Sequence, residues 1–194
     1  LPVDPTQFDA YYFSLQKGFA SEGGLAVALM SPAAIARAEQ LAGGDRYVPT
    51  FLSLTTAIDN ARKDQTYNTP AISTVFLAAE TVDWMNANGG LDGMVERGRA
   101  KADHLYGWAE SRPWADPFVD DAAARSLVVG TVDLDDAVSA DDVNAALRAN
   151  GVLDTDAYRK LGRNQLRVGM FPAVDLEDVQ AYTACVDHVV DELG

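Results

Sequence analysis

A chain of 194 residues with 15 Lys and Arg against 29 Asp and Glu carries a formal charge of −14, which argues against duplex nucleic acid or an anionic membrane as partner, since both recruit cationic surfaces. With 48% hydrophobic and 23% charged residues, the composition is globular rather than disordered. A single cysteine, Cys185, cannot form an internal disulfide, no Cys/His cluster has zinc spacing so no metal is expected, and no apolar run approaches the roughly 20 residues of a membrane span.

The chain opens Leu1-Pro2-Val3-Asp4, without a signal-peptide pattern or an initiator Met, so a soluble, cytoplasmic segment of something longer is expected. Residues 11–15 form a short aromatic and apolar run, expected as a buried strand. Gln16-Lys17-Gly18 ends it, and Ser21-Glu22-Gly23-Gly24 reads as a turn. Residues 25–30 are expected as a second core strand. Ser31-Pro32 has the form of a helix start, with an N-cap and then Pro at the first helical position. That helix runs through Ile35 and Leu41 until Gly43-Gly44 stops it. A further helix is expected over about residues 51–63. After Tyr67-Asn68-Thr69, Pro70 opens a long helix through Val75, Phe76, Val82 and Met85. Asn88-Gly89-Gly90 breaks it, and the domain boundary is placed there, giving domains 1–90 and 91–194.

In the second half, residues 92–110 show helical spacing at Met94, Val95, Leu105 and Trp108. Residues 127–134 are rich in β-branched side chains and are expected as a strand. Ser139 followed by Asp141 and Asp142 suits a helix N-terminus by cap and dipole, and Asn150-Gly151 ends that helix. Residues 165–171 are expected as a strand and Leu176–Leu193 as a closing amphipathic helix, with Val179, Tyr182, Val186 and Val190 inward. Strands separated by helices imply an α/β or α+β layered architecture.

Three groups could carry chemistry. Lys17 follows a strand directly; a lysine there is either a solvated turn residue or an amine aimed into a cleft, where burial makes it nucleophilic. Arg159, Lys160, Arg163 and Arg167 put four cations within nine residues of an acidic chain. They either neutralise nearby aspartates or form an anion site, for which the arginine fork suits carboxylate and phosphate. Asn68 and Thr69 before Pro70 either cap a helix or present donors to a phosphate at its N-terminus. His104 and His188 read as helical residues without ligand spacing, and Cys185 as core packing.

The segment from Tyr11 to Leu25, with Ser14-Leu15-Gln16-Lys17-Gly18-Phe19-Ala20 and Gly23-Gly24, resembles the cofactor-lysine segment of the phosphoserine aminotransferase family, in class V of the aminotransferases. Tyr67-Asn68-Thr69-Pro70 resembles that family's Asn-Thr-Pro segment. Gly162-Arg163-Asn164-Gln165-Leu166-Arg167-Val168-Gly169 is similar to its substrate-arginine strand. The three motifs occur in the family's order and span essentially the whole chain.

The resemblance implies an α/β fold of the pyridoxal-phosphate fold-type-I, aspartate aminotransferase-like kind, here as its C-terminal portion: the end of the large cofactor-binding domain, then the small domain. It implies that Lys17 forms the Schiff base with pyridoxal 5'-phosphate and that Gln16 contacts the cofactor phosphate. Asn68 and Thr69 would reach the phosphate of the neighbouring subunit in a homodimer with shared sites. Arg167 would hold the substrate α-carboxylate, leaving Arg159, Lys160 and Arg163 as candidates for the distal anion. The implied reaction is ping-pong transamination of O-phosphoserine with 2-oxoglutarate, giving 3-phosphohydroxypyruvate and glutamate, in serine and pyridoxine biosynthesis. The acid for the pyridine nitrogen and the glycine-rich phosphate loop precede the lysine in the family, and only sixteen residues precede Lys17; the isolated chain is therefore expected to be inactive. Two alternatives are a serine–glyoxylate type of aminotransferase and a catalytically silent assembly module.

Overall fold

The computed structural model describes residues 4–193; Leu1, at which the question of a natural start arises, lies outside them with Pro2, Val3 and Gly194. The described residues form two compact units that divide between Trp84 and Met85.

In the first unit, strands β1 (Ala10–Ser14) and β2 (Ala26–Met30) pair antiparallel, with Tyr12 opposite Ala28. The expectation of two buried core strands is overturned: their residues are almost all exposed, Tyr12 at 81%. The cause is that a two-stranded ribbon has too few neighbours to cover both of its faces. Helix α1 (Pro32–Ala42) starts as its sequence dictates, since Ser31 Oγ accepts from the Ala34 amide at 3.1 Å and Pro32 occupies the first turn. Helix α2 (Leu54–Ala61) is shorter than expected. Residues 50–52 wind into a separate 3-10 turn, and Ser53 caps α2 by accepting from the Thr56 amide at 3.3 Å. Helix α3 (Ile72–Ala87) begins two residues beyond Pro70.

Gly89, at a φ of +90° that side-chain-bearing residues avoid, separates α3 from α4 (Gly90–Glu110). The second unit then adds β3 (Ala115–Pro117), β4 (Val129–Leu134), α5 (Ala140–Ala149), β5 (Gln165–Gly169) and α6 (Leu176–Leu193). Its sheet is antiparallel in the order β3-β4-β5, with Thr131 opposite Arg167 and Asp133 opposite Gln165. Strand β3 gave no sequence signal, because Ala-Asp-Pro is too short to show a period. Along β4 burial alternates, so Gly130, Val132 and Leu134 face inward.

Leu105 and Ala109 of α4, Val143 and Leu147 of α5, Leu166 and Val168 of β5, and Val179 and Val186 of α6 join Val132 in one core. The opposite face of the sheet carries Asp133 and Arg167. Cys185 is a correction, since it is exposed: the inward stripe of α6 is Val179, Tyr182, Thr183 and Val186, and a residue one position before Val186 falls outside it.

Candidate functional site

Chain direction alone puts Lys17 at the end of β1, in a tight turn closed by the Ala20 amide donating to the Lys17 carbonyl at 2.9 Å. The turn is anchored on both sides. Leu15 is buried, Ser21 donates its amide to the Leu15 carbonyl at 3.1 Å, and Ser21 Oγ donates to the Thr74 carbonyl of α3 at 2.7 Å. Lys17 and Gln16 are exposed, so the position is a presented amine rather than a buried one. Among the described residues neither side chain makes a hydrogen bond or ion pair, and the same holds for the side chains of Asn68 and Thr69.

Asn68 and Thr69 precede the first turn of α3, which starts at Ile72, so they do not cap it. Their loop is braced instead by Thr66 Oγ1, which donates to the Asn68 carbonyl at 2.5 Å. With Tyr67 they line a cavity of about 1040 Å³ whose lining also includes Phe13, Leu15 and Phe19. The structure therefore brings the Asn-Thr segment to the same cavity as the apolar side chains that flank Lys17.

The cation cluster lies in the second unit and splits in two. Arg163 is spent structurally: it grips both carboxylate oxygens of Asp133, with Nε 3.2 Å from Oδ1, and its guanidinium carbon stands 4.7 Å from the centre of the Phe118 ring. Asp133 also accepts from Gln165 Nε2 at 2.7 Å. Arg159, Lys160 and Arg167 pair with no carboxylate among the described residues. Arg167 alternates outward between buried Leu166 and Val168, and its Nε donates to the Asp156 carbonyl at 3.2 Å. The nearby acids Asp154 and Asp156 are taken by Arg148, at 3.1 Å each.

His104 Nε2 stands 2.9 Å from Thr183 Oγ1 and His188 is exposed, both on helices. Two residues escaped the sequence reading. Tyr158 lies under both Arg159 and Arg167; an aromatic directly before two cations was the available signal. Lys101 is fully buried in α4 and donates from Nζ to the Phe171 and Val174 carbonyls, 2.7 Å each. Nothing in a helical Lys between two alanines marks it as internal.

The model of the aminotransferase class-V family matches residues 1–181. A phosphoserine aminotransferase from Nocardioides sp. (strain ATCC BAA-499 / JS614) is 59% identical over 193 residues, covering 100% of this chain and 52% of the relative. One from Corynebacterium glutamicum (strain R) is 58% identical over 191 residues, covering 98% and 51%. The chain thus spans about half the length of the curated relatives it matches. Among solved structures, the phosphoserine aminotransferase of Bacillus circulans subsp. alkalophilus superposes with a TM-score of 0.83 at 25% identity, over 100% of this chain and 50% of that one. The α/β fold is the one these aminotransferases share. No helix among the described residues is long and apolar enough to cross a membrane.

Proposed function

Because the chain belongs to the class-V aminotransferase family, we propose that it supplies the C-terminal half of a pyridoxal-phosphate-dependent phosphoserine aminotransferase, with residues 1–90 ending the large domain and 91–194 forming the small one. The observation that carries this reading is that Lys17, Gln16, Asn68 and Thr69, the residues matched to the cofactor motifs, all keep their side chains exposed and unspent. Neighbouring polar groups such as Ser21 and Thr74 are consumed by the fold. A phosphate-bearing aldehyde needs a free primary amine and uncommitted donors, and these residues fit that need.

Pyridoxal phosphate, when bound, supplies the electron sink for chemistry at the substrate Cα. Lys17 Nζ would hold it and would carry the proton to and from the substrate Cα as general base and acid. Gln16 would hold the phosphate within its own subunit, while Asn68 and Thr69 would hold the phosphate of the partner subunit in a homodimer. Arg167 fixes the α-carboxylate, and a second cation of the cluster receives the distal phosphate or carboxylate. The carboxylates near the lysine strand are occupied elsewhere: Asp4 Oδ1 holds the Thr6 amide and Asp9 Oδ1 accepts from Ser31 Oγ at 2.6 Å. The family resemblance puts the acid for the pyridine nitrogen in the half that precedes Lys17. The reaction is O-phosphoserine plus 2-oxoglutarate giving 3-phosphohydroxypyruvate plus glutamate, in serine and pyridoxine biosynthesis in the cytoplasm.

The test is a chimera in which this chain replaces the matching half of the Nocardioides relative. It should turn over O-phosphoserine with 2-oxoglutarate, and Lys17→Ala should remove at least about 10³-fold of that rate, as loss of a group that acts in both anchoring and proton transfer demands. A folded, cofactor-loaded chimera without turnover, or one that tolerates Lys17→Ala, would refute the assignment.

A further inference from the structure

The loop between α5 and β5 is held in an unusual shape. Gly151 and Gly162 take φ values of +88° and +70°, which glycine adopts freely, but Asp154 and Arg159 do so at +64° and +49°. A side-chain-bearing residue stays there only when its surroundings over-determine it. At Arg159 the surroundings are an aromatic ring: its guanidinium carbon lies 5.1 Å from the centre of Tyr158, and that of Arg167 lies 5.5 Å from the same ring. The two guanidinium groups are therefore at most about 11 Å apart. Arg167 is fixed a second time by the Asp156 carbonyl and by its own amide, which donates to the Thr155 carbonyl at 2.9 Å.

Cations that share one ring have no attraction for each other, and on a chain of charge −14 an acid beside them would be the ordinary partner. The acids are present but diverted. Asp154 and Asp156 bind Arg148, and Asp133 binds Arg163. A carboxylate would hold a guanidinium in place by occupying the fork that a ligand needs. An aromatic face holds it through the ring quadrupole and leaves the N–H donors free.

We infer that Tyr158 is a positioning residue, its ring holding Arg159 and Arg167 as the two prongs of a site for a small molecule bearing two anionic groups. The inference deepens the proposed function and rests on it for the identity of the ligand, with Arg167 on the α-carboxylate and Arg159, rather than Lys160 or Arg163, on the distal anion.

The experiment uses the 194-residue chain and O-phosphoserine as probe, following the side-chain Nε–H resonances of Arg159 and Arg167 by nuclear magnetic resonance. Both should shift together with one dissociation constant. Tyr158→Leu should weaken binding about tenfold, the scale of an aromatic contact to two cations. Tyr158→Phe should restore it to within about twofold, because the ring and not the hydroxyl does the holding. Tyr158 is exposed, so unchanged amide resonances of β4 and β5 verify that each variant is folded. Binding equal to wild type in Tyr158→Leu, failure of Tyr158→Phe to rescue, or no saturable shift in the wild type would each overturn the inference. The chimera separates the two ideas: turnover without a Tyr158 effect retains the function and discards the platform, whereas Tyr158-dependent binding without turnover does the reverse.

Discussion

Lys101 and Lys17 are the same residue type with opposite fates. Lys17 stands exposed at a strand end, while Lys101 is 1% exposed and has exchanged water for the carbonyls of Phe171 and Val174. Burial, and secondarily the nearby Arg97, pushes the Lys101 ammonium below the usual lysine range. The contact matters because those carbonyls belong to the turn between β5 and α6, so one side chain of α4 ties down the last connection of the second unit. Lys101→Met fills much the same volume and takes the donor from the Val174 carbonyl, while the Phe171 carbonyl keeps the Val174 amide at 2.9 Å. It should destabilise the second unit by about 1–3 kcal/mol, the cost of one orphaned acceptor less the desolvation recovered from the ammonium. The measurement is a urea midpoint at unchanged m-value; a variant as stable as wild type would mean that water reaches the Val174 carbonyl.

Elements were legible where a local signal decided them. Ser31-Pro32 and Ser139-Ala140-Asp141-Asp142 start helices as their caps dictate, and Ser139 Oγ accepts from the Asp142 amide at 3.2 Å. Strand β3 and the exposed ribbon of β1 and β2 were not legible, because burial of a strand depends on what lies across from it. The candidate site divides in the same way. Lys17, Asn68 and Arg167 could be singled out by type and position. The commitment of Arg163 to Asp133 required the β4–β5 register, which aligns Asp133 with Gln165, two residues after Arg163. That register also sets a demand at Gly130, where a Cβ would overlap Leu105 Cδ2 of α4 and press on Met170. Gly130→Ala should therefore cost about 1–3 kcal/mol despite alanine's lower backbone entropy loss. Combining it with Leu105→Ala should give a coupling of at least about 0.5 kcal/mol, because the second change removes the atom that the first one strikes. Additive penalties would show that the contact is relieved by backbone movement.

Across the molecule the two units differ in how much they bury. Among the described residues of the first unit only Leu15 and Thr74 are buried, while Tyr12, Tyr47 and Phe51 are exposed at 81%, 90% and 80%. The second unit has a continuous core reaching from Ala102 to Val186. Apolar burial is the main term that offsets chain entropy, so stability must be concentrated in the second unit, and opening of the chain should be stepwise rather than all-or-none. Hydrogen exchange on the 194-residue chain reads this directly. Amides of β1, β2 and α2 should exchange at least about a hundredfold faster than those of β4, β5 and α4 relative to their intrinsic rates, an opening free energy smaller by about 2.8 kcal/mol. The same comparison on the chimera should show the difference shrinking, because the half supplied by the Nocardioides relative would cover the apolar face that β1, β2 and α3 leave open. Equal protection of the two units in the isolated chain would mean that the first unit is stabilised by something other than burial, and would remove the physical reason for assigning it to a larger domain.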